Sequence, residues 1–230
     1  RPWDHFHRLL YSARLLCMEV SYDEESLIQI MLDLLRAENW QRDAYIRPMF
    51  YKSDSGIGVR LHNLKDDLTI WSVPFEKYIK NDTNAHVTIS SWRRIDDNVI
   101  PARGKVSGAY VNSALVKTDA ARSGFDEALV LDQNGHVSEG SAMNIFMVRD
   151  GVVVTPPVTE NILEGITRRS VMELIRDELG LPIVERPIDR TEVTICEEFF
   201  MTGTAAQVVA VTKVDHRPIG TGAMGPVVSK

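Results

Sequence analysis

The sequence predicts an α+β protein of two subdomains, and three observations predict it. Apolar residues recur at helical spacing through the first forty positions and then give way to short, β-rich runs. Farther on, Asn134-Gly135 and Asp150-Gly151 each separate two apolar runs, and both dipeptides suit the positive φ that tight hairpins require. Between these regions lies a polar stretch, Lys77 to Ala85, that contains Asn81-Asp82-Thr83-Asn84. The expected organisation is a domain over residues 1–80, a linker at 81–85 and a larger domain over 86–230, with mostly antiparallel sheet.

Each element follows from local pattern. Phe6, Leu9, Leu10, Ala13, Leu16 and Cys17 lie at helical spacing, so the opening twenty residues read as a helix packed on a core. Ser21-Tyr22-Asp23-Glu24 reads as a capping box ahead of a second helix through Leu27, Ile30, Met31, Leu34 and Leu35. Ala44 to Tyr51, Gly56 to Leu61 and Leu68 to Val73 read as strands between turn residues, placing two helices on an antiparallel sheet. In the second part, His86 to Trp92 is a strand and Ser107 to Ser123 a helix stopped by Gly124. The two hairpins pair 128–131 with 136–138 and 145–148 with 152–155. Ile166 to Leu179 is a helix closed by Gly180, and strands follow near 183–184, 199–202 and 208–214.

Composition narrows the function. The chain has 230 residues, 44% hydrophobic and 25% charged, with a net charge of −6, which is ordinary for a globular protein. Acidic and basic residues alternate without the basic stripe of a nucleic-acid binder. No apolar run approaches the roughly 18 residues a membrane span requires. Cys17 and Cys196 alone make neither a disulfide framework nor a metal site, which points to the cytoplasm. His5 and His7 face different sides of a helix and His62, His86, His136 and His216 are isolated, so no metal is expected.

Several residues carry chemical potential. No lysine precedes Lys52, and Lys105 stands among small residues in Arg103-Gly104-Lys105-Val106-Ser107-Gly108-Ala109-Tyr110. Such surroundings let a ligand approach, and a desolvated lysine yields the neutral amine that attacks carbonyls. A surface lysine beside a flexible turn is the other reading. Val106 after Gly104-Lys105 excludes a phosphate-binding P-loop. Glu139, in Ser138-Glu139-Gly140-Ser141, lies between the two hairpins, either as a turn residue in water or as a carboxylate wanting a protonated nitrogen or backbone donor. His136 stands where a nucleophile elbow around Ser138 would need glycine. Gly165-Ile166-Thr167-Arg168 opens a helix whose free N–H groups attract anions, and Gly203-Thr204-Ala205-Ala206 follows a strand and offers amides in the same way. Each also reads as a simple cap or turn. Arg8 suits either a phosphate or a surface ion pair. In Tyr45-Ile46-Arg47-Pro48 a phenol and a guanidinium share one strand face, able to meet a carboxylate bidentately or to sit as edge charge beside Pro48.

The order of these motifs resembles that of the fold-type IV (class IV) pyridoxal-phosphate-dependent aminotransferases, on the branched-chain amino acid aminotransferase branch, over essentially the whole chain. The resemblance implies a small α/β domain plus a larger mixed, β-barrel-like domain. It also implies pyridoxal 5′-phosphate carried on Lys105, which moves the proton between the substrate Cα and the cofactor's C4′. Glu139 would pair with the ring nitrogen, Tyr110 with the phenolic oxygen, and Leu163 would pack on the ring face. Arg8, the Ile166 and Thr167 amides, the Thr167 hydroxyl and Thr204 would hold the phosphate.

For the substrate, the resemblance implies that Tyr45 with Thr204 and Ala205 receives the α-carboxylate and that Arg47 meets the distal carboxylate of glutamate or 2-oxoglutarate. Phe75 and Tyr78 would line the apolar wall, Phe75 standing where members often carry tryptophan. The implied reaction is transamination between branched-chain L-amino acids and 2-oxoglutarate by a homodimer or larger homo-oligomer. D-amino acid transaminases, (R)-amine transaminases and aminodeoxychorismate lyases share the fold. A catalytically silent binding domain is a further alternative, against which the intact Lys105, Tyr110 and Glu139 argue. Members also carry strands ahead of the opening helix and a helix after the Gly225-Pro226 region, so the 1–80 domain is expected to lack its first strands.

Overall fold

A computed structural model describes residues 1–230, which divide into two compact units, Arg1–Lys77 and Tyr78–Lys230. In the first unit two helices, α1 (Pro2–Leu15) and α2 (Glu24–Glu38), pack on a ribbon of β1 (Ala44–Lys52) and β2 (Asp66–Pro74). Phe6, Leu27 and Met31 are buried where the helices meet, with Ile46, Phe50 and Leu68 of the ribbon against them. Pro2 suits the first helical turn, where its missing N–H is no loss. The cap of α2 is Asp23 rather than Ser21: its carboxylate accepts the Ser26 N–H at 2.8 Å while Ser26 Oγ accepts the Asp23 N–H at 3.1 Å. The first helix also ends earlier than its apolar spacing suggests, because Cys17 turns left-handed at φ 53°.

One expected strand is absent. Residues 56–61 form the exposed part of a loop between β1 and β2, closed at its base where Ser53 N–H donates to Lys65 O at 2.9 Å. Gly58 has φ 153°, and the apolar Ile57 and Val59 are fully exposed with no neighbouring strand to cover them. Alternating hydrophobicity without a hydrogen-bonding neighbour does not make a strand.

The second unit is built on one sheet. Its elements are β3 (Ala85–Arg93), α3 (Tyr110–Arg122), β4 (Glu127–Leu131), β5 (Val137–Gly140), β6 (Asn144–Arg149), β7 (Val152–Thr155), α4 (Ile166–Asp177), β8 (Ile183–Glu185), β9 (Glu198–Gly203), β10 (Gln207–Val214) and β11 (Arg217–Pro218). The strand order is β5-β4-β3-β10-β9-β6-β7-β8, with β11 on β10. Most neighbours are antiparallel, but β3–β4, β7–β8 and β3–β10 run parallel. The first two of these need crossovers, which α3 and α4 supply.

The two ends of the sheet meet. Val137 N–H donates to Ile188 O at 2.8 Å, just beyond β8, and His136 bridges antiparallel to Asp189. The strands thus wrap around a core that includes Val87, Leu129, Ile145, Met147, Phe199, Met201 and Val211. Outward, α4 covers Phe146, Val148, Val153 and Phe200, and α3 covers Ala128 and Val130. Burial on both faces explains why these strands read as continuous apolar runs.

Both predicted hairpins form. Asp150 and Gly151 turn with φ 51° and 74°, and at the other turn Asp132 Oδ1 accepts the N–H groups of Asn134 and His136 at 2.9 and 2.8 Å. Residues 81–84 are tied down: Asn81 Nδ2 donates to Asn84 O and to Asp126 Oδ2, and Ala85 already begins β3. Three histidines read as isolated have close neighbours. His136 Nδ1 lies 3.2 Å from Glu160 Oε2 beside Asp132, the three offering ligand-type atoms within 4.8 Å of one another, and the His86 ring meets that of His216 at 4.9 Å. Sequence separation hides both pairings.

The segment leading from β8 to β9 is pinned by Glu192. Its carboxylate takes Arg186 Nη2 at 2.7 Å, Arg149 Nη1 at 2.5 Å and the Asp189 N–H at 3.2 Å. The Arg186 hydrogen bonds, reinforced by the Asp189 amide and Arg149, lower its pKa from 4.5 to about 2. A carboxylate depressed in the folded state stabilises above its unfolded pKa and loses that contribution as pH falls through the folded one. Glu192→Gln is therefore expected to lower the thermal midpoint at neutral pH by about 4–8 °C. The parent and variant midpoints should converge as pH falls from 4.5 towards 2, measured by circular dichroism melts across that range.

Candidate active site

The second unit gathers polar groups around the chain reversal between β5 and β6. Glu139 lies on β5, where both faces are covered, and its side chain is buried. Its Oε1 lies 2.9 Å from Arg94 Nη2, and its Oε2 accepts the Leu163 N–H at 3.1 Å and Asn144 Nδ2 at 3.3 Å. Burial pushes the Glu139 carboxyl above its ordinary value. Arg94, then the Leu163 amide, then the Lys105 charge work against that rise. The carboxylate therefore senses Lys105 through its charge.

Lys105 sits in the loop between β3 and α3, and its Nζ donates to the Tyr110 hydroxyl at 2.5 Å with the ammonium 5.1 Å from that ring's centre. Tyr110 is the first residue of α3, which fixes the phenol relative to the loop. The burial expected around Lys105 is not present within this unit: Lys105 is exposed, and Tyr110 is 38% exposed. An exposed amine beside a phenol can exchange a proton with it and can reach a carbonyl.

The start of α4 is an uncapped helix N-terminus. Gly165 is its N-cap and has no side-chain hydrogen bond to the first turn, so the leading amides are uncapped. Glycine is required there, because a Cβ at 165 would overlap Asn144 Oδ1. Asn144 spans this point, donating to Glu139 and also to Leu163 O at 2.9 Å. In the ladder it pairs with Thr202, whose Oγ1 is buried without a partner. Beyond Thr202, Thr204 and Ala205 form the turn from β9 to β10. Arg168, in the same motif as Ile166 and Thr167, is buried and turned to Glu185 at 2.6 Å and Pro156 O at 3.0 Å.

The first unit holds a separate cluster. Tyr45 and Arg47 share a face of β1, and Arg47 Nη2 donates to the Tyr45 hydroxyl at 2.9 Å. The guanidinium lies 5.2 Å from the centre of the Tyr45 ring and 5.4 Å from that of Trp71, its cross-strand partner, while Phe75 lies 5.5 Å from Tyr45. Arg8 is a half-buried residue of α1 in the same unit, and Tyr78 is an exposed residue at the start of the second unit.

Local sequence pattern assigns no role to Trp71, Arg94, Asn144 or Thr202. Trp71 emerges only from the β1–β2 register. Arg94 reads locally as one of two surface arginines, and only the fold brings it to Glu139.

The chain matches the family model of class IV amino-transferases over residues 2–214. It is 45% identical over 224 residues to a probable branched-chain-amino-acid aminotransferase of Aquifex aeolicus, covering 97% of this chain and 72% of that protein. Among solved structures it is similar to the branched-chain aminotransferase of the thermophilic archaeon Thermoproteus uzoniensis with norvaline. There the TM-score is 0.95 and the identity 38%, over 100% of this chain and 75% of that one. The branched-chain amino acid aminotransferase of Thermobaculum terrenum in its PLP form gives a TM-score of 0.93 at 36% identity, over 99% and 74%. Another similar structure is a branched-chain amino acid aminotransferase complexed with N-(5′-phosphopyridoxyl)-L-glutamate, with a TM-score of 0.91 at 38% identity, over 100% and 74%.

Removing the gap at Gly165 should disturb Glu139 through Asn144. Gly165→Ala is expected to cost about 1–3 kcal/mol in urea unfolding. Gly108→Ala, whose Cβ meets nothing within 4 Å, should cost nothing measurable.

Proposed function

The chain belongs to the class IV amino-transferases, and from that premise we propose that it exchanges amino groups between branched-chain L-amino acids and 2-oxoglutarate, with pyridoxal 5′-phosphate as cofactor. The observation that carries this reading is the buried Glu139 carboxylate, raised by burial and held among three donors. A charge so placed suits a cation brought to it, and a protonated ring nitrogen is one. The remaining groups fit the same molecule: the uncapped start of α4 suits its phosphate, the amine of Lys105 suits its aldehyde, and the orphaned Thr202 hydroxyl marks a polar wall.

When bound, pyridoxal phosphate supplies an electron sink that stabilises negative charge on the substrate Cα. In this reading Glu139 holds the proton on the ring nitrogen, which makes the ring a better sink. Lys105 carries the cofactor on Nζ and afterwards takes and returns the proton at the substrate Cα. The Tyr110 hydroxyl, already bonded to that amine, steadies it and pairs with the phenolic oxygen. Leu163, whose amide is anchored on Glu139, covers a ring face. Ile166, Thr167 and Thr204 hold the phosphate.

The choice of substrate rests on the first unit's cluster. Tyr45 receives the α-carboxylate. Phe75 and Tyr78 provide the apolar wall for an aliphatic side chain. Arg47, stacked between Tyr45 and Trp71, offers a guanidinium to an acidic side chain and folds back onto aromatic faces when the side chain is aliphatic. The similar protein's complex with a phosphopyridoxyl-glutamate supports an acidic second substrate.

We further propose a homodimer in the cytoplasm. No helix is long and apolar enough to cross a membrane, and both cysteines are free, as a reducing compartment favours. Burial pushes the Cys196 thiol up to about 12, leaving it inert. The apolar tip of the 53–65 loop, with Ile57 and Val59 fully exposed, suits burial against a second copy. Ile57→Asp with Val59→Asp is expected to halve the mass seen by sedimentation; an unchanged mass contradicts the role given to this loop.

The function is tested by half-reactions of the loaded protein with L-leucine, L-glutamate, D-alanine and (R)-phenylethylamine, followed by the change in cofactor absorbance. Only the first two should react. Arg47→Ala should slow L-glutamate at least tenfold more than L-leucine, and equal losses contradict the dual-substrate account. Lys105→Ala should abolish both half-reactions while leaving the fold intact by circular dichroism. Borohydride should fix the cofactor to the Lys105 peptide and to no other.

A further inference from the structure

Arg94 is placed for more than structural support. It follows β3 directly, and its backbone is fixed on both sides: its N–H donates to Leu131 O at 2.8 Å, and its carbonyl accepts Gln133 Nε2 at 3.2 Å. The side chain is buried, 8% exposed, and its two contacts diverge. One nitrogen, Nη2, lies 2.9 Å from Glu139 Oε1, and Nε donates to Asn161 O at 2.9 Å. Asn161 precedes Leu163 and Gly165, so this guanidinium ties the carboxylate to the segment that leads into α4. The neighbouring Arg93 turns elsewhere, to Asp132 O at 2.6 Å.

Around Glu139 the charged groups are few. Arg94 is in contact, Lys105 acts through its charge, and the other partners are the neutral Leu163 amide and Asn144 side chain. Burial favours the protonated carboxyl, and Arg94 is the largest influence opposing it. A neutral carboxyl can neither balance a ring cation nor keep a proton on the ring nitrogen.

We propose that Arg94 is a positioning residue for the reaction: it fixes the orientation and the negative charge of Glu139, and through Glu139 it keeps the cofactor's ring nitrogen protonated. This rests on the pyridoxal phosphate reading above. The ion pair with the ring nitrogen then depends on a side chain that never touches the cofactor.

The test compares the affinity of the unloaded protein for pyridoxal phosphate and for its 1-deaza analogue, in which the ring nitrogen is replaced by C–H. The wild type should prefer pyridoxal phosphate. Arg94→Gln should cut that preference by about tenfold or more, one unit of carboxyl pKa being tenfold in the equilibrium. The loss should fall on pyridoxal phosphate, and affinity for the analogue should change by less than about threefold. In the same variant, the fall of pyridoxal phosphate affinity on acidification should begin at higher pH, since the carboxyl loses its main counter-charge. Arg94→Lys, which keeps the charge, should keep most of the preference.

Equal weakening of both ligands in Arg94→Gln, or no change in either, overturns the proposal. If Arg94→Gln does not fold, Arg94→Lys decides: a retained preference with an unmoved acid limb supports the proposal, and a lost preference overturns it. A wild type that binds both ligands equally overturns the role of Glu139 on which Arg94 depends. A wild type that binds neither overturns the pyridoxal phosphate reading itself.

Discussion

A carboxylate removed from water needs opposing charge and donors, because an unpaired buried ion costs several kcal/mol. Glu139 meets that need with Arg94 on one oxygen and with Leu163 N–H and Asn144 on the other. Much of the second unit follows from satisfying this one group. The reversal from β5 to β6 brings Asn144 within reach, the segment before α4 runs close enough to lend the Leu163 amide, and Gly165 has no Cβ because Asn144 occupies that space. Strands covered on both faces exclude water from the Glu139 carboxylate, and barrel-like closure through Val137 and Ile188 holds the arrangement.

In the proposed function the two units divide the chemistry. In the second, an exposed amine and phenol at Lys105 and Tyr110, a buried acid and an uncapped helix start suit a phosphorylated, ring-nitrogen-bearing cofactor. In the first, a ribbon presents Tyr45, Arg47, Trp71 and Phe75 as one aromatic and cationic cluster suited to substrate. The net charge of −6 has no bearing on the anionic cofactor, since local amides and single cations decide such a site. The Arg47 guanidinium rests on aromatic faces and remains exposed, as the proposed dual-substrate role requires.

Much of this was legible in the sequence where the controlling interactions are local. Asp150-Gly151 announces its hairpin because a two-residue turn needs φ > 0 at both positions, and the crossover helix α4 shows clear apolar spacing. Residues 56–61 misled because alternation carries no information about a missing neighbour, and Ser21 misled because Asp23 offers an equally good cap two residues later. Lys105 and Glu139 stood out by their small or apolar surroundings. Arg94 did not, since its partners lie 45 and 67 positions away and only strand order brings them together. Trp71 likewise needed the register of β1 against β2. The family resemblance named the cofactor, which helix ends and turns alone could not do.

The central claim is that Glu139, buried yet ionised, keeps a proton on the nitrogen of the bound cofactor ring. The direct measurement is the 15N chemical shift of ring-labelled pyridoxal 5′-phosphate bound to the wild-type protein, followed from neutral into alkaline pH. A shift that stays at the protonated pyridinium position throughout is the predicted result. A shift at the unprotonated position at neutral pH would contradict the account.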